Sequence, residues 1–268
     1  MVVAADIACA PGERPEPDRC HQKATADLAV RLRPDAVLVP GDLQYEQGAA
    51  ADFAGSYDPS WGRLRAITWP APGNHEYKTG GAAGYFDYLG AVAGPRGSGW
   101  YSIDLGAWHV IALNSNCDEV GGCGAGSAQE RWLRADLAAH RQACVLAFWH
   151  HPRWSHGTHG DTASVGPFMQ DLYRAGADVV LTGHDHDYQR FEPRTPDGVR
   201  DEARGIRQFV VGTGGRSHYA INGDTGLEAG NDDTFGVLSM TLRPGGYDWR
   251  FVPEPGRTFT DAGSATCH

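Results

Sequence analysis

Gly183-His184-Asp185-His186-Asp187-Tyr188, entered from the apolar run Ala177, Val179, Val180, Leu181, is the stretch around which the rest of the chain arranges itself. A Val- and Leu-rich run closed by Thr182-Gly183 reads as a buried strand giving way to a tight turn. Both histidines therefore lie just beyond a strand end, where an α/β scaffold presents loop side chains for chemistry. An imidazole pair spaced by two also describes a stacked pair on one face of a strand. Its weight depends on what the other strands carry at their ends.

Working outward, the same arrangement recurs. Val2-Val3-Ala4 leads to Asp6, and Ala36-Val37-Leu38-Val39-Pro40 leads to Gly41-Asp42-Leu43-Gln44-Tyr45. Ile67-Thr68-Trp69 leads through Pro70-Ala71-Pro72-Gly73 to Asn74-His75-Glu76, and Cys144-Val145-Leu146-Ala147-Phe148-Trp149 leads to His150-His151-Pro152. In a parallel sheet such ends gather on one edge. Helices are predicted over about 21–33, closed by Pro34, and near 165–174. A third starts at Ser127, with Glu130 three residues on completing a capping box. Residues 49–64 read as helical or irregular with Asp58-Pro59 as a break, and 100–105 with 108–113 as a hairpin. The last third turns to strands at 208–211, 235–242 and 247–252. Mixed β content after a βαβ start predicts two packed sheets with helices outside them, in one domain over 1–268.

Composition narrows the function classes. The 268 residues, 41% of them hydrophobic, can fill one large core. A formal charge of -10, from 33 acidic and 23 basic residues with no Lys/Arg stripe, argues against a stable nucleic-acid complex. No run of 18 apolar residues occurs, so no membrane span is expected. The oligomeric state is not legible. Of six cysteines, Cys9 and Cys20 flank a Pro/Gly-rich loop and Cys117 and Cys123 flank Asp118-Glu119-Val120-Gly121-Gly122, both natural places for short-range disulfides. Cys144 and Cys267 remain to tie down the tail. This usage predicts a secreted or extracytoplasmic protein. With no signal peptide ahead of the first strand, Met1 reads as a start placed after a removed leader.

Collected at strand ends are Asp6, Asp42, Tyr45, Asn74, His75, His150, His184 and His186. Oxygen and imidazole donors without thiolate suit iron, zinc or manganese. Eight such residues exceed the needs of one ion, and a carboxylate such as Asp42 can bridge two, so a two-metal hydrolase is the natural inference.

In this order the motifs resemble the calcineurin-like metallophosphoesterase superfamily, and Tyr45 makes the chain similar to the purple acid phosphatases within it. The resemblance implies an α/β fold, a four-layer α/β/β/α sandwich with two central mixed β-sheets. It implies two metal ions. Ferric iron (Fe3+) would be held by Asp6, Asp42, Tyr45 and His186, and Zn2+, Mn2+ or Fe2+ by Asp42, Asn74, His150 and His184. Tyr45 as phenolate would give a purple charge-transfer band. His75 would contact the phosphoryl group or assist its leaving group, and His159, nine residues after His150, falls where a substrate-binding histidine is placed. Two departures stand out: Ile7-Ala8 follows Asp6 where the superfamily has Asp-x-Gly, and the loop after His150 offers His156 and His159 instead of a histidine pair.

The expected activity is acid phosphomonoester hydrolysis by direct attack of metal-bound hydroxide, with a small-molecule phosphate ester as substrate. No serine or cysteine sits in a nucleophile setting, so no phosphoenzyme is expected. A phosphodiesterase acting on nucleotide or phospholipid-type diesters uses the same ligands, and an inactive phosphate-binding module would keep the same fold. Trp61, Trp154, His156, Tyr188, Arg190 and Tyr219 are candidates for the mouth of the site. His151 reads equally as a partner of a ligand or a surface side chain, while His21, His109, His140, His218 and His268 need no functional explanation.

Overall fold

The computed structural model describes residues 1–140 and 142–268. Thirteen strands are present among them: β1 (Val2–Val3), β2 (Val37–Pro40), β3 (Thr68–Ala71), β4 (Tyr101–Leu105), β5 (Trp108–Ala112), β6 (Cys144–Phe148), β7 (Val179–Thr182), β8 (Tyr188–Phe191), β9 (Arg207–Val211), β10 (Leu227–Asn231), β11 (Gly236–Arg243), β12 (Gly246–Pro253) and β13 (Ala262–Thr266). They form a six-stranded sheet in the order β13-β12-β11-β1-β2-β3 and a seven-stranded sheet in the order β10-β8-β9-β7-β6-β5-β4. Both are mixed. β1, β2 and β3 run parallel, as do β5, β6, β7 and β9, while the outer strands pair antiparallel.

The layers follow from strand periodicity, because alternate residues point to opposite faces. Val3, Leu38, Val110, Leu146, Phe148, Val179, Leu181, Phe209 and Val211 meet between the two sheets. Their neighbours Val2, Val37 and Val39 turn outward under the helix Gln22–Leu32 and the helical segment that contains Trp61. On the other side, Ile111, Val145, Ala147, Val180 and Val210 turn outward under the helices Ala128–Ala139 and Gly166–Ala175, which contribute Leu133, Phe168, Met169 and Leu172. The result is the expected helix, sheet, sheet, helix sandwich. The parallel sets, three strands in one sheet and four in the other, then end on the same edge, and the backbone N–H of Ala5 donates to Val211 O at 3.0 Å, joining the sheets there.

Several local expectations need correction. Asp58-Pro59 does not end the helical run but marks a change in its winding, from the wide turn Phe53–Tyr57 through Asp58–Ser60 to the tighter 3-10 segment Trp61–Ile67. Ser127 Oγ does accept the Glu130 N–H at 3.2 Å, but the Glu130 carboxylate turns back one residue further, to Gly126 N–H at 2.9 Å. Strands β8, β10 and β13 lack an apolar run. They are drawn into the sheets by backbone partners far away in sequence, Asn231 opposite Tyr188 for instance. No helix among the described residues is long and apolar enough to cross a membrane.

All six cysteines are paired: Cys9–Cys20, Cys117–Cys123 and Cys144–Cys267. The last joins the start of β6 to the residue after β13 and closes a separation of 123 residues. Replacing both Cys144 and Cys267 by alanine is therefore expected to lower the unfolding free energy by about 2–5 kcal/mol. A urea melt checks this, and an unchanged midpoint would mean that backbone pairing with β12 holds the tail unaided.

Candidate metal centre

The edge where the parallel strands end gathers the side chains that the sequence pointed to. Asp6 follows β1, Asp42 and Tyr45 follow β2, Asn74 follows β3, His150 follows β6, and His184 and His186 follow β7. Each carboxylate is pinned by one oxygen and free at the other. Asp6 Oδ2 accepts the His184 N–H at 2.9 Å, and Asp42 Oδ1 accepts the His75 N–H at 2.9 Å. Their remaining oxygens, with His186 Nε2, surround the Tyr45 hydroxyl: Asp6 Oδ1 at 2.7 Å, Asp42 Oδ2 at 2.9 Å and His186 Nε2 at 2.9 Å. A second group meets at His150 Nε2, with Asn74 Oδ1 at 3.0 Å, Asp42 Oδ2 at 3.3 Å and His184 Nδ1 at 3.3 Å. Asp42 Oδ2 belongs to both.

This donor set fits a pair of cations. A phenol has one hydrogen to give, yet two carboxylate oxygens crowd the Tyr45 oxygen. His150 is similar. Its Nδ1–H donates to Pro40 O at 2.9 Å, so in the neutral ring Nε2 is a lone pair facing two oxygen acceptors, Asn74 Oδ1 and Asp42 Oδ2. Burial removes the water that would otherwise relieve this, since Asp6, Asp42, Tyr45, His150 and His186 are all nearly inaccessible. Asp42 responds accordingly: burial pushes its acidity the other way, but the facing His150 and His75 hold its carboxyl well below the usual carboxylate range. His150 is pushed up to about 9, because the Asp42 and Asp6 charges outweigh the cost of burial. Burial and the same two carboxylates push the Tyr45 hydroxyl far up, a shift that a cation at this point would reverse.

The backbone is shaped to this purpose. Asp6, Asp42 and His184 adopt left-handed φ values of 58°, 48° and 73°. A non-glycine residue pays for that conformation, and such strain concentrates at functional sites. At Gly73 a Cβ would stand 2.1 Å from Asp42 Oδ1, so only glycine lets the third strand end approach the carboxylate.

His75 and His159 take different places. His75 Nδ1–H donates to Glu46 O at 2.8 Å, which leaves Nε2 facing the centre, 4.0 Å from Asp42 Oδ2. His159 stacks on His184 with ring centroids 4.2 Å apart. Its loop is held by Asp185, whose carboxylate accepts the His159 N–H at 2.8 Å and the Ser155 hydroxyl. Of the proposed mouth residues only Tyr219 reaches the centre, stacked on His186 at 4.0 Å. Trp61 and Trp154 are buried in the two outer cores, Tyr188 is buried between the sheets, and Arg190 is paired with Asp261 and Glu228. His156 is turned to Thr225 O. The core claimed the two tryptophans and Tyr188, and polar partners away from the centre claimed Arg190 and His156. His151 is a partner and not a surface side chain: it bonds Ser115 Oγ at 2.8 Å, lies 4.4 Å from His184, and burial with the adjacent His150 pulls it down to about 3.

Two contributors had no assigned role in the sequence reading. Ser217 Oγ bonds His186 Nδ1 at 2.8 Å, orienting the ring from a loop with no motif of its own. Glu76, fully buried, accepts three backbone N–H groups, from Asp42 at 3.0 Å, Gly73 at 2.7 Å and Gln44 at 3.2 Å. It staples the second and third strand ends together. Its place directly after Asn74-His75 was the available signal.

Beside Asn74 and His151 opens a cleft of about 500 Å³, lined further by Tyr77, Lys78, Asn116 and Asp118.

Comparison with known proteins gives a consistent result. The calcineurin-like phosphoesterase family model matches residues 2–188. An uncharacterized protein of Mycobacterium tuberculosis is 31% identical over 230 residues, covering 70% of this chain and 43% of that protein. Purple acid phosphatase 21 of Arabidopsis thaliana is 30% identical over 183 residues, covering 59% of this chain and 39% of that protein. The solved purple acid phosphatase from yellow lupin (Lupinus luteus) seeds shares the fold, with a TM-score of 0.77 at 19% identity over 99% of this chain and 53% of that one. The chain thus spans about half the length of these relatives, or somewhat less.

Glu76→Ala would leave three buried N–H groups without an acceptor, and is expected to cost about 3 kcal/mol or more of stability. Chemical denaturation measures it; a loss below about 1 kcal/mol would show that water replaces the carboxylate.

Proposed function

The chain belongs to the calcineurin-like phosphoesterase family and is related to purple acid phosphatases, and from that premise we propose that it is an acid phosphomonoesterase that releases inorganic phosphate at a dinuclear metal centre. The observation that carries the proposal is Asp42 Oδ2, which faces both donor groups at once. In this reading Asp6, Asp42, Tyr45 and His186 hold ferric iron, the phenolic oxygen supplying the hard donor that iron favours. Asp42, Asn74, His150 and His184 hold zinc, manganese or ferrous iron.

The two cations, when bound, neutralise phosphate oxygens and activate a water molecule for in-line attack. The protein's own groups do the rest. Asp42, whose Oδ2 faces both donor groups, would contribute to holding both ions. Pro40 O and Ser217 Oγ, each bonded to one ring nitrogen, turn the opposite nitrogens of His150 and His186 toward the centre. His75 offers Nε2 to the phosphoryl group or to the departing oxygen; donation from that atom needs the doubly protonated ring, which acid pH favours. His159, held by Asp185 and packed on His184, serves as a second group for the phosphate. The cleft beside Asn74 receives the leaving group. An extracytoplasmic setting, where three disulfides persist, completes the proposal.

The protein loaded with iron and zinc is expected to carry two metals per chain, to show a visible band that Tyr45→Phe abolishes, and to turn over aryl phosphate monoesters faster than matched diesters. Asp42→Asn is expected to lower both metal content and turnover, the latter on the order of a hundredfold or more, since several kcal/mol of charge stabilisation are at stake. A higher rate on diesters would make the enzyme a phosphodiesterase. No turnover with both metals in place would reduce it to a phosphate-binding module.

A further inference from the structure

Strand β5 supplies none of the donors of the metal centre, yet its continuation reaches the same edge. Ala112 lies opposite Phe148 of β6, and the register carries on past both strands, since the Leu113 N–H donates to Phe148 O at 2.9 Å. Three residues beyond that pair, one on each chain, stand Ser115 and His151.

Both backbones are held there. Gln129 of the helix Ala128–Ala139 clamps Asn114, accepting its N–H at 2.6 Å and donating to its carbonyl oxygen at 2.9 Å. The Asn116 amide donates to Pro72 O at 3.1 Å, and the Trp149 indole N–H donates to His151 O at 2.8 Å. Between these fixed chains Ser115 Oγ accepts the His151 N–H at 2.9 Å and lies 2.8 Å from His151 Nδ1.

Hydrogen accounting then decides the tautomer. Ser115 is 4% exposed, and among the described residues its hydroxyl hydrogen has no acceptor but His151 Nδ1. A buried hydroxyl hydrogen left unpaired is costly, so it goes to Nδ1, and the one hydrogen of the neutral ring stands on Nε2. Among the described residues that Nε2–H has no hydrogen-bond partner. His151 lines the cleft beside Asn74, and one of its nitrogens lies within 4.8 Å of a ring nitrogen of His150 and of His184. A third imidazole ligand beside those two would need a lone pair at Nε2, which this tautomer lacks. A preset N–H at that place suits an oxyanion instead.

We propose that His151 binds the phosphoryl group of the substrate through its Nε2–H, from the cleft wall beside Asn74, and that Ser115 is the positioning residue that fixes this hydrogen. The inference rests on the dinuclear phosphate site of the proposed function.

The test uses the full chain with zinc in both positions and inorganic phosphate as the probe. His151→Ala is expected to keep both zinc ions, counted by mass spectrometry, while phosphate binding weakens about tenfold or more in a calorimetric titration. His151→Gln, whose amide restores an N–H donor, is expected to recover most of that loss, and Ser115→Ala to show part of it. In a nitrogen-resolved NMR spectrum of wild type, the ring whose signals vanish in His151→Gln is expected to carry its hydrogen on Nε2 and none on Nδ1. Unchanged phosphate affinity in His151→Ala, or a ring bare at Nε2, would overturn the assignment. So would the loss of one zinc ion from His151→Ala, which would make the ring a metal ligand. If His151→Ala proves unstable, His151→Gln and the wild-type spectrum still decide. None of these readouts is turnover: a protein that binds phosphate through His151 yet hydrolyses no ester would end the phosphatase reading alone, and hydrolysis with phosphate affinity unchanged in His151→Ala would end this inference alone.

Discussion

Two carboxylates buried within reach of one phenolic oxygen repel each other, and everything else at this edge of the molecule answers that repulsion. Asp6 and Asp42 each give one oxygen to a backbone N–H and direct the other at Tyr45, so neither can turn away. Left-handed backbone at both aspartates, and at His184, keeps the loops from relaxing into easier conformations. Glu76 ties the second and third strand ends together although it adds negative charge of its own; burial and the nearby Asp42 push it up to about 8, and three N–H groups compensate. An assembly of this kind stores electrostatic free energy that only positive charge releases. Stability and metal affinity are therefore two views of one quantity.

The same logic explains how glycine is used. Gly73 stands where the third strand end meets Asp42, at a separation that leaves no space for a methyl group. A chain that places five inaccessible polar side chains in one spot needs its backbones to touch, and the cost of glycine's freedom in the unfolded state is accepted for that approach.

Much of this was legible in the sequence because it is local. Val37-Leu38-Val39 announces a buried strand by composition, and Asp42 follows it within the reach of one turn, so strand, turn and candidate ligand are read together. His184 and His186 after β7 and His150 after β6 are the same case. What could not be read depends on distant partners. Strand β8 begins at Tyr188, two residues past His186, but its strand character comes from Val211 and Asn231. Ser217 bonds His186 across a gap of 31 residues with no motif to mark it. The aromatic mouth failed for a related reason: Trp61 and Trp154 bury more surface than any polar contact could repay, and size alone does not say on which side of a sheet a ring will lie.

Because the strand ends come from two sheets, neither sheet owns a finished ligand set. The six-stranded sheet brings Asp6, Asp42, Tyr45 and Asn74, and the seven-stranded sheet brings His150, His184 and His186. Each donor group draws from both, so the ions would act as rivets across the seam. During folding, half-built chains could bind metal only weakly, and full affinity would arrive at the moment the sheets close. The outer helices Gln22–Leu32, Ala128–Ala139 and Gly166–Ala175 supply none of these donors, which makes the junction, not either layer, the working unit of this architecture.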